Sequence, residues 1–186
     1  MANREVSKKS SVDEIRERFD TDVERFSNLD TGQQATIDAP LAMDLITHAA
    51  LSATPDAANV LDIGCGAGNN SLKLLQRKNP LNIDLVDLSQ PMLSRAQERI
   101  NVVNSGRIRT YQADFRQVDL EPESYDIIIA AAVLHHLRDD RDWESAFRKI
   151  YDLTSYGGSV WITDLVSHDI PEVHSMMWKR YAEYLE

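Results

Sequence analysis

The sequence predicts a doubly wound α/β fold, in which a parallel sheet carries helices on both of its faces. From residue 60 onward, short apolar segments of strand length alternate with longer segments of helical periodicity. Strands separated by helix-length connections form parallel βαβ units with right-handed crossovers. The chain has 186 residues, 42% of them hydrophobic and 27% charged, which is typical of one ordinary globular domain.

The first part of the chain, residues 1–57, is predicted to form a flexible polar tail over residues 1–10 and then cap helices. Ser11 and Glu14 have the spacing of a capping box at a helix start. The apolar residues that follow at intervals of three and four are predicted to share one helical face; they are Val12, Ile15, Phe19, Val23 and Phe26. A second helix is expected to begin near Pro40.

The remainder, residues 58–186, is predicted to form the α/β domain. The strand candidates are short and apolar: 60–63, 82–86, 108–112, 126–130 and 159–163. The helices expected between them are 69–78, 91–103 and 140–153. Ser89 before Pro91, and Asp139 at the next helix start, are clear N-terminal signals. A last helix is expected to begin at Pro171.

Charge and cysteine content restrict the classes of partner. There are 30 acidic and 20 basic residues, giving a formal charge of −10 that disfavours a nucleic-acid substrate. Cys65 is the single cysteine, so an internal disulfide is excluded, and no residue pattern predicts a metal site. The N-terminus has no apolar run typical of a signal peptide, and no segment reaches membrane-spanning length. We therefore expect a cytoplasmic protein.

Glycines cluster where the first predicted strand ends. Gly64, Gly66 and Gly68 allow a sharp turn and a close approach of the backbone to a ligand. A dinucleotide fingerprint requires its third glycine three residues after the second, but that position holds Asn69. Asp62 beside the loop would repel an anionic pyrophosphate and would suit a cationic ligand. The pattern therefore indicates a nucleotide-like cofactor other than a dinucleotide.

This segment resembles motif I, D-x-G-x-G-x-G, of the class I S-adenosylmethionine (SAM)-dependent methyltransferases. The resemblance covers about residues 58–164. Over these residues the chain looks most similar to small bacterial enzymes of the UbiE and Methyltransf_25 types and to the carboxy-SAM synthase group. It implies a Rossmann-like SAM-binding domain over residues 58–186 with strand order 3-2-1-4-5. The family adds two further strands after the fifth, and these need about 40–50 residues that this chain lacks. We therefore expect a C-terminally incomplete domain or a partner that covers the fifth strand.

Acidic residues follow the second and third predicted strands, where doubly wound sheets bind ligands. Asp87 is placed to accept hydrogen bonds from both ribose hydroxyls. In the family, an acidic residue at the position of Asp114 accepts the adenine amino group, and an apolar side chain at Phe115 packs on the ring. The cofactor-binding residues that the resemblance implies are Asp62, Gly64, Cys65, Gly66, Gly68, Asp87, Leu88, Met92, Asp114, Phe115 and Ala130.

Two adjacent histidines, His135 and His136, are the candidates for acid–base work, since imidazole titrates near neutral pH. Of the two, His136 is the preferred candidate. A His-His-Leu segment at this position is also compatible with a purely structural role that braces the loop. A base is required only when the acceptor must lose a proton for transfer to occur.

The function predicted is methyl transfer from SAM to a small-molecule acceptor, with SAM as the cofactor. The alternatives are a non-catalytic SAM-binding or partner protein and an enzyme similar to carboxy-SAM synthase. An NAD-dependent dehydrogenase is disfavoured by Asn69 and Asp62. The sequence leaves open whether the chain forms a homodimer.

Overall fold

The computed structural model describes residues 9–27 and 38–185, so most of the predicted polar tail lies outside the described residues. The strands are β1 (Asn59–Ile63), β2 (Asn82–Asp87), β3 (Ile108–Gln112), β4 (Tyr125–Ala131) and β5 (Thr154–Thr163). The helices are α1 (Val12–Thr21), α2 (Val23–Ser27), α3 (Ala39–Ala53), α4 (Asn69–Leu75), α5 (Gln90–Val103), α6 (Asp140–Leu153) and α7 (Pro171–Leu185). The strands form one sheet in the order β3-β2-β1-β4-β5, all parallel, which confirms the predicted fold class and strand order.

The central strand β1 is buried on both faces of the sheet, as expected for a parallel sheet covered by helices. Val60 pairs with Ile83 on one side and Ile127 on the other, and all three side chains are fully buried. Side chains of α3, α4 and α5 pack on one face, and side chains of α6 pack on the other. This double burial explains why the strands are almost uninterrupted apolar runs.

The N-terminal helices differ from the single helical face that the sequence predicts. The capping box is present, because the Ser11 hydroxyl accepts from the Glu14 N–H at 3.2 Å and the Glu14 carboxylate accepts from the Ser11 N–H at 2.6 Å. The helix then ends at Thr21, and Asp22 separates α1 from the short α2. The prediction of one continuous helix over these residues is therefore wrong.

Strand β5 begins five residues earlier than expected. The strand begins at Thr154 and runs through the Gly157-Gly158 pair. Gly157 has a φ of +77°, a left-handed conformation that favours glycine. The pairing of β5 with β4 shifts register between Tyr125 and Ile127. The glycine pair therefore accommodates an irregularity inside the strand. Within the described ranges, no helix is long and apolar enough to cross a membrane.

Candidate active site

A cavity of about 710 Å³ lies across the carboxyl ends of the central strands. Its walls include Gly64 after β1, Asp87 at the end of β2 and Ala131 at the end of β4. Ligand sites commonly have volumes of about 300–1,000 Å³. In open α/β sheets they lie at this edge, so the fold places the cavity where a ligand is expected.

The three glycines of the loop after β1 all have positive φ, but their surroundings differ. A Cβ on Gly64 would lie 2.4 Å from the Val133 side chain, so this glycine allows the loop to contact the segment after β4. A Cβ on Gly66 would have no atom within 4 Å, and the residue lines the cavity. A Cβ on Gly68 would lie 3.1 Å from the Ala96 Cβ on α5, so this glycine serves helix packing.

Asp62, expected beside the ligand, lies beneath the loop and is completely buried. Its Oδ2 accepts a hydrogen bond of 2.6 Å from the Ser71 hydroxyl, whereas its Oδ1 has no partner among the described residues. Burial raises the pKa of Asp62 to about 7, although the Ser71 hydrogen bond opposes that shift. Among the described residues, those lining the cavity do not include Asp62 or Gly68.

Asp87 lines the cavity at the end of β2 and is held by backbone groups on both sides. Its Oδ2 accepts from the Gly66 N–H at 2.8 Å, and its Oδ1 accepts from the Ser89 N–H at 2.9 Å. Burial raises the pKa of Asp87, and these two N–H groups offset part of the shift. Each carboxylate oxygen can accept a further hydrogen bond, so the fixed carboxylate can still bind hydroxyl groups of a ligand.

Asp114 and Phe115 also line the cavity, after β3. Phe115 is buried, with 7% of its surface exposed. The Asp114 carboxylate is already paired, because the Arg116 Nε lies 3.0 Å from Oδ1 and the same guanidinium contacts Oδ2. Arg116 also contacts Asp142 at the start of α6. The sequence did not predict this ion pair, which reduces the capacity of Asp114 to accept from a ligand.

The remaining predicted residues divide between the cavity and the core. Cys65, Leu88 and Met92 line the cavity. Ala130 is fully buried in the sheet, and the described cavity walls contain the next residue, Ala131, instead. A shift of one residue along a strand reverses the face that a side chain occupies.

His135 forms a two-point contact with Asp164, the residue directly after β5. The His135 Nδ1 lies 2.6 Å from Oδ1 of Asp164, and the His135 backbone N–H donates to Oδ2 at 2.9 Å. The Asp164 side chain is only 9% exposed, and both residues line the cavity. Burial alone would raise the pKa of Asp164, but the hydrogen bonds from His135 lower it below the usual value. The carboxylate is therefore ionised and fixed.

His136 lies in a different environment from its neighbour. Burial, assisted by the nearby His135 and Arg18, lowers the pKa of His136 to about 4. Its ring packs edge-on against Phe19 of α1 at a centroid distance of 6.1 Å. His136 also lines the cavity, but its ring packs between Phe19 and His135 and its lowered pKa keeps it neutral, so the geometry favours His135 instead.

The cavity is covered by helices from both ends of the described chain. Phe19 and Phe26 contribute from the N-terminal helices, and Met177 and Trp178 contribute from α7. Asn69 holds α2 in place, because its side-chain amide donates to the Phe26 carbonyl at 3.1 Å. These helices add apolar side chains to the walls of the cavity.

Asp164 is the residue that the sequence reasoning missed. It follows β5 directly, in the same way that Asp87 ends β2 and Asp114 follows β3. The rule that located those two acidic residues could have identified Asp164. Its partner, however, is 29 residues away and becomes a neighbour only because β4 and β5 are adjacent.

Comparison with known proteins supplies the family. A protein family described as "Methyltransferase domain" matches residues 60–158. An uncharacterised methyltransferase of Mycobacterium bovis is 31% identical over 119 residues, covering 64% of this chain and 55% of that protein. A malonyl-[acyl-carrier protein] O-methyltransferase of Paenibacillus sp. is 28% identical over 153 residues, covering 81% and 54%. The chain thus spans about half the length of the curated relatives it matches.

Solved structures agree on the fold. The crystal structure of the [4+2]-cyclase SpnF superimposes with a TM-score of 0.67 at 18% identity. The superposition covers 86% of this chain and 62% of that one. At this identity the likeness concerns the architecture.

Proposed function

The chain belongs to the methyltransferase domain family, and on that premise we propose that it binds SAM and transfers the methyl group to a small-molecule acceptor. The family membership confirms the resemblance drawn from motif I. The observation that carries the proposal is the cavity at the carboxyl edge of the sheet, where the Gly64–Gly66 loop and the Asp87 carboxylate meet. Residues 58–186 are assigned as the SAM-binding domain, and the helices before β1 are assigned as its cover.

The loop residues fit a cationic cofactor that carries a nucleoside. The backbone of Gly66 faces open space in the cavity and carries no side chain, so a ligand can lie directly against it. The Asp87 carboxylate lies at this loop and lines the cavity, and its negative charge favours a ligand with an ammonium and a sulfonium. Asp62 keeps one buried oxygen without a partner among the described residues, and with a pKa of about 7 it is partly protonated at neutral pH.

We assign the methionine end of the cofactor to Gly64 and Gly66 and the ribose hydroxyls to Asp87. Asp114 and Phe115 are assigned to the adenine, with Phe115 packing on the ring and Arg116 fixing the Asp114 carboxylate. Gly68 is reassigned from ligand contact to packing against α5. When bound, SAM supplies a methyl group on positively charged sulfur, which an acceptor displaces in line. The residues of the chain align the two reactants at about 3–3.5 Å.

The test is isothermal titration calorimetry of the 186-residue chain with SAM and with its product, S-adenosylhomocysteine (SAH). Asp87→Ala should weaken binding at least tenfold, which corresponds to about 1.4 kcal/mol. The matched control is Asp119→Ala, because Asp119 lies in a separate groove with Asp84 and Tyr125. Unchanged affinity in Asp87→Ala would refute the ribose assignment, and binding of NADH in place of SAM would contradict the proposed function.

A further inference from the structure

The order of strands in the sheet separates the cavity into two ends. The proposed adenosine contacts lie over β2 and β3, and the glycine loop lies over β1. Strands β4 and β5 lie on the other side of β1, with neighbouring strands about 4.8 Å apart. An acceptor that receives a methyl group from a sulfur near β1 therefore occupies the end over β4 and β5. That end contains His135 and Asp164.

We propose that His135 is the general base of the reaction, that Asp164 positions it, and that the acceptor is therefore a hydroxyl compound. This inference rests on the proposed function and adds the class of acceptor. The observation behind it is the two-point contact between residues from adjacent strand ends, with Nδ1 to Oδ1 at 2.6 Å and N–H to Oδ2 at 2.9 Å. Two contacts to one buried carboxylate fix both the position and the rotation of the imidazole ring.

The contact also determines which ring nitrogen can accept a proton. An ionised carboxylate is only an acceptor, so the His135 Nδ1 carries the hydrogen that is shared with Asp164. In the neutral imidazole, Nε2 is then the unprotonated nitrogen. A base oriented by a third group in this way is the arrangement that activates a hydroxyl nucleophile.

Charged groups of both signs lie near the histidine pair. Asp164 stabilises the imidazolium that forms when His135 takes up a proton. Lys9 contacts the His135 carbonyl at 3.1 Å, and Arg18 acts on the neighbouring His136. With a pKa of about 4, His136 is a weak proton acceptor at neutral pH. It packs against the His135 ring at a centroid distance of 4.0 Å.

One base is sufficient to take up the proton that the methyl transfer releases. The acceptor oxygen forms a bond to the methyl carbon as the bond from that carbon to sulfur breaks, and the sulfur keeps the electron pair. The hydroxyl proton moves to Nε2 of His135 and is later released to water. A carboxylate or a neutral amine can attack without first losing a proton, so neither needs this arrangement. The surrounding Phe19, Met177 and Trp178 side chains suit an acceptor with an apolar framework.

The first test does not require the natural acceptor. Long-range ¹H–¹⁵N NMR of the full chain with SAH reports which imidazole nitrogen carries the proton, and His135→Gln assigns the signals. We expect a protonated Nδ1 and an unprotonated Nε2 for His135, and loss of this preference in Asp164→Asn. A neutral His135 ring with its proton on Nε2 in place of Nδ1 in the unmodified chain overturns the inference.

The second test measures methyl transfer from SAM to a panel of small phenols, alcohols, carboxylic acids and amines, with mass detection of the products. Phenols or alcohols should be methylated, and His135→Gln should lower kcat by about 10²–10⁴-fold, the usual contribution of a general base. Asp164→Asn should lower kcat while KM stays within about threefold, and it should also shift the pH profile of kcat, which is the readout that separates loss of positioning from a smaller folded fraction. His48→Gln is the matched control, since His48 is exposed on α3 outside the described cavity walls.

The outcomes of the two proposals are distinguishable. If SAH does not bind in calorimetry, the proposed function fails. If SAH binds but no hydroxyl compound is methylated, or a carboxylate or amine is preferred, the inference about the base fails. Hydroxyl methylation by His135→Gln at a rate within threefold of the unmodified chain overturns it as well.

Discussion

Substitution of Gly64 by alanine separates steric contact from backbone strain in the cofactor loop. Gly64 has a φ of +64°, and an alanine there pays about 1–2 kcal/mol for the left-handed conformation. The new Cβ would lie 2.4 Å from Val133 Cγ2 and 2.7 Å from Val133 Cβ. Valine is stiff at its branched Cβ, so the contact is relieved only by moving backbone, at a further cost of about 1–3 kcal/mol.

Gly66→Ala is the matched variant, because Gly66 also has positive φ (+50°) but its Cβ would have no atom within 4 Å. The two variants share the strain of the backbone, so their difference isolates the contact with Val133. We expect Gly64→Ala to be less stable than Gly66→Ala by about 1–3 kcal/mol. For a chain of this size, 2 kcal/mol corresponds to a difference in Tm of roughly 4–8 °C.

The assay is urea denaturation of both variants with circular dichroism, followed by calorimetry with SAH on the folded protein. Gly66→Ala should lose more SAH affinity than its small loss of stability explains, because its new methyl group occupies cavity space. Equal loss of stability in the two variants, or a greater loss in Gly66→Ala, would refute the assignment of Gly64 to close packing with the segment after β4.

Two further predictions concern buried polar groups. Because the pKa of Asp62 is raised to about 7 in the folded chain, its folded form retains a proton that the unfolded chain releases, so stability declines as pH rises toward 7. Asp62→Asn lacks this titration and should gain stability relative to the unmodified chain between pH 5 and pH 8 in urea denaturation; a difference independent of pH contradicts the assignment. Asn69→Ala removes the donor to the Phe26 carbonyl and the acceptor for Arg99, so it should cost about 1–3 kcal/mol and speed proteolysis of α2. The exposed Asn101→Ala on α5 should match the unmodified chain, and equal cleavage of both variants would refute this function of Asn69.

The elements that the sequence predicts well are those defined by local patterns. The helix over residues 140–153 and the strand over 108–112 have the bounds that periodicity and capping residues predict. Asn69, used to exclude a dinucleotide fingerprint, is a buried side chain that holds α2 against the loop. The local pattern identified Asn69 as a departure from the dinucleotide fingerprint. Its hydrogen bond to the Phe26 carbonyl depends on the tertiary fold and could not be predicted from that pattern.

The site was only partly predictable for the same reason. Gly64, Gly66 and Gly68 look equivalent in the sequence, and only their neighbours in space distinguish packing from cavity lining. Arg116 pairs with Asp114 two residues away, a contact that depends on the turn after β3. Asp164 reaches His135 because β4 and β5 are neighbours, so sheet topology and side-chain position together form the contact.

The central claim is that one cavity holds the cofactor across β3, β2 and β1 and leaves its other end for the acceptor. A crystal structure of the 186-residue chain with SAH tests this claim most directly. We predict the ribose hydroxyls at Asp87, the amino-acid end of SAH against Gly64 and Gly66, and the sulfur facing His135. SAH bound elsewhere, or with its sulfur directed away from the His135–Asp164 pair, would contradict the account.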